Sequence, residues 1–252
     1  MSIVSFANQK GGVGKTTSAV NVAACIGKKG KSVLLIDMDP QGNATSGVGI
    51  SKKNIKYTIY DVLIGQTDIK EAVLQTKFKN LSVVPSTIAL AGAEFDLNEM
   101  DEKGKSMSKI LATIKDEYDY IIIDCPPALG MLTINALSAS NGVVIPMQCE
   151  FFSLEGLSQL IMTIKRIRQS YNPELEISGI LLTMYNGRLV LTNQVIDELK
   201  KYYSDKLFKT PISRSVKLSE APSFGEPICY YDPYSKGSLE YADVAKELML
   251  RI

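Results

Sequence analysis

Apolar residues fall along this chain in two alternating textures. Short runs rich in β-branched residues occur at "IVSFAN" (3–8), "SVLLID" (32–37), "LSVVPS" (81–86), "YIIID" (120–124), "GVVIPM" (142–147) and "ISGILLTMY" (177–185). Such runs, with little polar alternation, predict strands covered on both faces, as in a parallel sheet. Between them lie stretches with helical spacing, at 15–30, 88–115, 153–170, 190–203 and 239–250. Gly30 is placed to cap the first of these at its C-terminal end. The alternation predicts an α/β fold, a mostly parallel twisted sheet with helices on both faces. Residues 44–80 read as a helical insertion at the edge of that sheet. No repeat, low-complexity segment or Gly/Ser linker interrupts the pattern, so residues 1–252 are expected to form one domain.

Composition narrows the chemistry. Of 252 residues 45% are hydrophobic, enough for a large core, and the formal net charge is only +1. Binding to a polyanion would therefore need a local patch. There is no histidine, which removes imidazole catalysis and the commonest metal ligand. Cys25, Cys125, Cys149 and Cys229 form no CxxC pair and are expected as buried free thiols in a reducing cytosol. No charged segment with a following apolar run opens the chain, and no apolar run reaches eighteen residues, so neither a signal peptide nor a membrane span is expected.

The stretch "ANQKGGVGKTT" at 7–17 follows the first strand and opens the first helix. That is the context of a phosphate-binding loop. Small residues at Gly11, Gly12, Val13 and Gly14 let backbone N–H groups turn inward around phosphate oxygens. Lys15 would bridge the β- and γ-phosphates of a nucleotide, Thr16 would ligate Mg²⁺ through its hydroxyl, and Thr17 completes the loop. The ordinary pattern G-x-x-x-x-G-K-[ST] is not fully met, since its first glycine falls on Gln9. The bland alternative is a glycine-rich turn with basic surface residues. Asp37 and Asp39 end the second strand, beside the loop in a doubly wound sheet, although Asp-Pro and Gln-Gly-Asn also suit a simple turn. With no histidine, a carboxylate is the reasonable group to orient a water. "YIIID" delivers Asp124 from a hydrophobic strand to a metal shell.

"KGGVGKTT" resembles the deviant Walker A motif of the ParA/MinD family, with Lys10 as its signature lysine. In that family this lysine reaches the partner subunit's nucleotide across a face-to-face dimer, with Gly12 at the seam. The physical logic is charge balance: one lysine and Mg²⁺ leave a triphosphate under-compensated, and a cation lent in trans makes dimerisation depend on ATP. The resemblance makes "DMDP" a Walker A′ motif, with Asp39 activating the attacking water and near the metal, and Asp37 a partner of Mg²⁺ or of the loop. It makes Asp124 the Walker B carboxylate and "DCPPALGMLTINAL" a switch region.

Residues 212–248 follow the pattern of the small ParA/Soj type of partitioning ATPase. The family usually has proline and asparagine near the adenine; this chain has Ser213 and Ser215. Met1 stands just before the first strand, so no N-terminal helix-turn-helix extension is expected. The resemblance implies slow ATP hydrolysis, an ATP-bound homodimer, non-specific binding to double-stranded DNA, a ParB-type centromere-binding partner, no membrane attachment, and a cytoplasmic, nucleoid-associated protein. From 156 to 217 there are ten Lys/Arg against five Asp/Glu, a local +5 against −4 for the remainder. Arg188 matches the family's DNA-contacting arginine, and Lys200, Lys201, Arg214 and Lys217 are the supporting candidates. A MinD-like membrane ATPase would need a basic amphipathic terminus, and a nitrogenase-type iron protein would need cluster cysteines; "YADVAKELMLRI", Cys125 and Cys149 fit neither. A C-terminal tyrosine cluster of the kinase type is not matched by Tyr230, Tyr231, Tyr234 and Tyr241, which lie inside the closing pattern.

Overall fold

The computed structural model describes residues 1–100, 102–150 and 152–252. Seven strands are formed: β1 (Ser2–Phe6), β2 (Val33–Asp37), β3 (Leu74–Gln75), β4 (Leu81–Val84), β5 (Tyr120–Asp124), β6 (Gly142–Gln148) and β7 (Glu176–Thr183). They lie in one sheet in the order β3-β4-β2-β5-β1-β6-β7, parallel except where β3 meets β4. The helices are α1 (Lys15–Lys28), α2 (Asn43–Gly47), α3 (Ile59–Leu63), α4 (Ile69–Ala72), α5 (Ala93–Glu99), α6 (Ser106–Ala112), α7 (Met131–Ala139), α8 (Ser153–Ser170), α9 (Val190–Tyr203), α10 (Val216–Glu220), α11 (Ile228–Tyr231) and α12 (Lys236–Arg251).

Strand period explains why the central strands lack polar alternation. Leu34, Ile36, Ile121 and Ile123 point to one face, where Leu97, Leu111, Leu132, Leu160 and Val195 cover them. Val33, Leu35 and Ile122 point to the other, against Ala23, Ile26, Tyr241, Val244 and Leu248 of α1 and α12. Both faces are dry, so each position along β2 and β5 gains from being apolar.

Two expectations need correction, and one helix was not expected. The stretch 88–115 is not one helix: residues 88–92 form a 3₁₀ turn, and α5 and α6 follow separately. The polar residues 102–106, with Gly104 among them, offer little apolar surface to bury, and 102–105 are turns; residue 101 lies outside the described residues. Residues 44–80 are not purely helical, because β3 pairs antiparallel with β4, Leu74 opposite Val83. Helix α7 was not read from the sequence, since "MLTINALSA" is apolar on nearly every side and shows no face. Strand and helix ends shift by a few residues; Gly30, at φ +92°, follows the cap residue Lys29.

Beyond β7 the chain returns along that strand's outer edge. Phe208 N–H donates to the Ile180 carbonyl at 3.0 Å and Ile212 N–H to Leu182 at 2.8 Å. Arg251 staples this return, donating to the carbonyls of Ser178 (2.9 Å), Lys206 (3.1 Å) and Leu207 (2.7 Å). Among the described residues no helix is long and apolar enough to cross a membrane.

Candidate functional site

Register brings the motifs to one end of the sheet. Phe6 of β1 and Asp37 of β2 both stand opposite Asp124 of β5. The loop leaving β1 therefore opens directly beside two strand-end carboxylates. It reaches α1 through Gly12 at φ +72° and Gly14 at φ +81°, angles that side chains rarely adopt. A Cβ at Gly12 would meet nothing within 4 Å, so inside the protomer only the backbone angle demands glycine there. Neighbours pin the loop. Thr183 donates its hydroxyl to the Val13 carbonyl at 2.8 Å, Gln148 its amide to Gly12 at 2.9 Å, and Asn8 its amide to Pro146 at 2.8 Å. Thr183 and Gln148 lie at the ends of β7 and β6, and nothing local in the sequence marks them.

Lys15 is buried, 6% exposed, and donates to the Lys10 carbonyl at 3.0 Å. Burial lowers its pKa, opposed chiefly by the Asp124 carboxylate. Asp124 is fully buried, and neither carboxylate oxygen has a hydrogen-bond partner of good geometry among the described residues. Burial pushes its pKa well up and nearby Asp37 pushes the same way, while the Thr16 hydroxyl and Lys15 favour the charged form. A buried carboxylate with two orphaned oxygens, beside a hydroxyl, suits a hard divalent cation. Among the described residues no cluster of three or more His, Cys, Asp or Glu could hold a metal. A cation at Asp124 and Thr16 would thus draw its other ligands from substrate and water.

The two aspartates after β2 have separate jobs. Asp37 accepts from the Thr45 N–H and the Thr45 hydroxyl, both at 2.7 Å, and from the Asp39 N–H at 3.2 Å. Both of its oxygens accept hydrogen bonds, so it braces the 39–45 turn. Burial raises it to about 6 in spite of these bonds. Asp39 is 8% exposed, and among the described residues its carboxylate accepts one hydrogen bond, from the Gln41 N–H at 2.9 Å. Its charge acts on both Lys15 and Asp124. Ser86, another residue the sequence did not mark, holds the Asp39 carbonyl with its hydroxyl at 2.8 Å.

A hollow of about 360 Å³ opens beyond Gly14 and Thr17, walled by Thr183, Met184, Ser213, Arg214, Ser215 and Tyr241. Ser213 and Ser215 do stand together with the loop. Arg214, expected among DNA contacts, is exposed and also lines this hollow, with a guanidinium nitrogen 3.8 Å from Met184 Sδ.

Arg188, Lys200, Lys201 and Lys217 are exposed. Helix α9 places Lys200 about 15 Å along its axis from Val190, at roughly 1.5 Å per residue, and Arg188 lies in the turn before it. Lys201 pairs with Glu198 at 2.6 Å and Lys217 with Glu220 at 3.1 Å. Lys10 forms an ion pair with Glu150 of the same chain. All four cysteines are free; Cys25, Cys125 and Cys229 are buried and Cys149 is half-buried.

A parallel sheet with a lysine-bearing, glycine-turned loop at the carboxyl ends of its strands defines a P-loop NTPase. Residues 1–177 match a family model described as "AAA domain". The chain is 53% identical over 246 residues to the sporulation initiation inhibitor protein Soj of Bacillus subtilis, covering 98% of this chain and 97% of that one. It is 49% identical to the chromosome partitioning protein ParA of Myxococcus xanthus, over 99% and 88% of the two chains. A structure named cobyrinic acid a,c-diamide synthase from Mycobacterium smegmatis, with bound ADP and magnesium, superposes with a TM-score of 0.87 at 32% identity, over 99% and 94%. The chain belongs to the ParA/Soj family of ATPases.

Proposed function

We propose that this chain is a partitioning ATPase, acting as one P-loop domain over residues 1–252. The observation that carries the chemistry is Asp124, buried beside Lys15 and Thr16 with neither oxygen hydrogen-bonded among the described residues. In this reading residues 10–17 hold the phosphates of ATP, and Ser213 and Ser215 wall the base. Asp124 and Thr16 hold Mg²⁺, with Asp39 alongside; the cation, when bound, offsets charge on the phosphate oxygens. Lys15 neutralises the β/γ region and Asp39 orients the attacking water.

Two protomers then close face to face, each lending Lys10 to the other's nucleotide across Gly12. Arg188, with Lys200, Lys201 and Lys217 as weaker contributors, holds double-stranded DNA without reading its sequence, and two such faces on one dimer sum. A ParB-type centromere-binding partner stimulates hydrolysis, the dimer opens, and the protein leaves the nucleoid. Intrinsic turnover is slow, because a fast one would keep the DNA-bound state from accumulating.

The name of the Mycobacterium smegmatis structure suggests an amide-forming synthase as a second reading. The 53% identity to Soj, against 32% to that structure, favours partition. The test is ATP turnover by the purified chain alone, with DNA, and with DNA plus the ParB-type protein encoded nearest its gene. Slow turnover that rises only when both are added supports the proposal; a rate indifferent to both overturns it. Lys15→Ala is the control.

A further inference from the structure

Backbone bonds of Ile212 to Leu182 and Tyr185 hold the segment to the end of β7, and the donors of Ser213 turn to another element. Ser213 donates its backbone N–H to Glu240 Oε2 at 2.8 Å and its hydroxyl to Glu240 Oε1 at 2.6 Å. Glu240 lies on α12, 27 positions further along the chain, and is only 9% exposed. Lys236, one turn earlier on that helix, brings Nζ to 3.7 Å from Oε1. A carboxylate is costly to bury unless its oxygens find donors, and here one residue supplies a donor to each. The next residue, Tyr241, lines the same hollow and shares a 3.1 Å hydrogen bond with Ser18 of α1. Helix α12 therefore ties one wall of the hollow to the helix that begins at Lys15.

Serine at 213 makes this clamp necessary. A proline there would fix φ and bring no N–H. Serine leaves φ free and adds two donors that need acceptors.

We propose that Glu240 is a positioning residue for nucleotide binding. By holding both donors of Ser213 it fixes the wall against which the base lies. The affinity gained from base and ribose, beyond that of the bare triphosphate, then depends on this carboxylate. The inference rests on reading the hollow as the base site.

The test compares two probes on the full chain, AMPPNP and inorganic tripolyphosphate, each with Mg²⁺, by calorimetry. Removing both acceptors with Glu240→Ala should weaken AMPPNP about tenfold, as expected when the partly buried donors of Ser213 lose both partners, and leave tripolyphosphate within about twofold. Glu240→Gln should restore most of the loss. Its amide oxygen accepts the Ser213 N–H, and its NH₂ donates to the hydroxyl oxygen. Ser213→Ala, which deletes one of the two bonds, should fall between. AMPPNP affinity unchanged in Glu240→Ala, or equal losses for both probes, overturns the assignment. Should Glu240→Ala fail to fold, Ser213→Ala decides: an affinity for AMPPNP equal to that of the native chain overturns it. If the native chain binds tripolyphosphate as tightly as AMPPNP, the hollow is not a base site and the inference falls with that reading.

Discussion

The ammonium of Lys15 donates to the backbone carbonyl of Lys10, 3.0 Å away. The buried lysine of the loop is thus held by the main chain of the half-exposed one. A phosphate oxygen is a stronger acceptor than a neutral carbonyl. Lys15→Ala should therefore weaken ATP binding about a hundredfold, from roughly 2–3 kcal/mol of charge-assisted bonding. Calorimetry with Mg²⁺–ATP checks this; native affinity would remove residues 10–17 from the nucleotide site.

Lys10 and Glu150 pair at the surface, with side chains 41% and 51% exposed. A pair so exposed contributes at most about 1 kcal/mol. Glu150→Gln should leave thermal stability nearly unchanged while freeing Lys10, so ATP-dependent self-association should be equal or tighter. Lys10→Glu should bind ATP as a protomer yet fail to dimerise. Mass photometry with a non-hydrolysable nucleotide separates the two outcomes.

Among the described residues the Asp39 carboxylate accepts one backbone N–H, while that of Asp37 accepts two backbone N–H groups and the Thr45 hydroxyl. The freer carboxylate is the better candidate to orient water. Asp39→Ala should lower turnover at least about a hundredfold, the usual contribution of a positioned base, and leave ATP affinity within a few-fold. Phosphate release and equilibrium binding, measured together, check it.

Asp37 is pushed from 3.8 up to about 6, mainly by burial, and Asp124 is raised in the same direction. A carboxyl raised in the folded chain holds its proton more tightly there than in the unfolded chain. Its stabilising contribution is complete below about pH 4 and is lost as pH rises through about 6. For Asp37 the loss is at most about 3 kcal/mol. Denaturation in chelating buffer should show this decline between about pH 4 and 6. Asp37→Asn should flatten the decline in this window.

Arg188 is exposed, at the turn between β7 and α9. Arg188→Glu should spare ATP-dependent dimerisation and lose DNA retention. The slope of log affinity against log salt should fall by about two for a dimer. Fluorescence anisotropy at several salt concentrations reads both; a native slope would relocate the DNA surface.

Much of the fold was legible because the central strands are apolar on both faces, so β1, β2 and β4–β7 announce themselves as continuous runs. What did not show was either too short or too uniform. Two-residue β3 cannot display alternation, and α7 is buried all round. The nucleotide motifs were legible because a loop and its following helix are local in sequence. Thr183, Gln148, Ser86 and Glu240 reach the site only through folding, and an isolated threonine or glutamate carries no sign of that. The same holds for Arg214: its charge is visible in the sequence, and its place beside the hollow is not.

The borders of the sheet limit how two copies could join. On one side β3 is only two residues long. On the other, the return of residues 206–213 occupies β7 and Arg251 pins it down. Neither flank presents a long row of free amides and carbonyls on which a foreign strand could zip. Growth by sheet continuation is blocked at both margins, so any assembly of this protein has to be built from side-chain surfaces and loops.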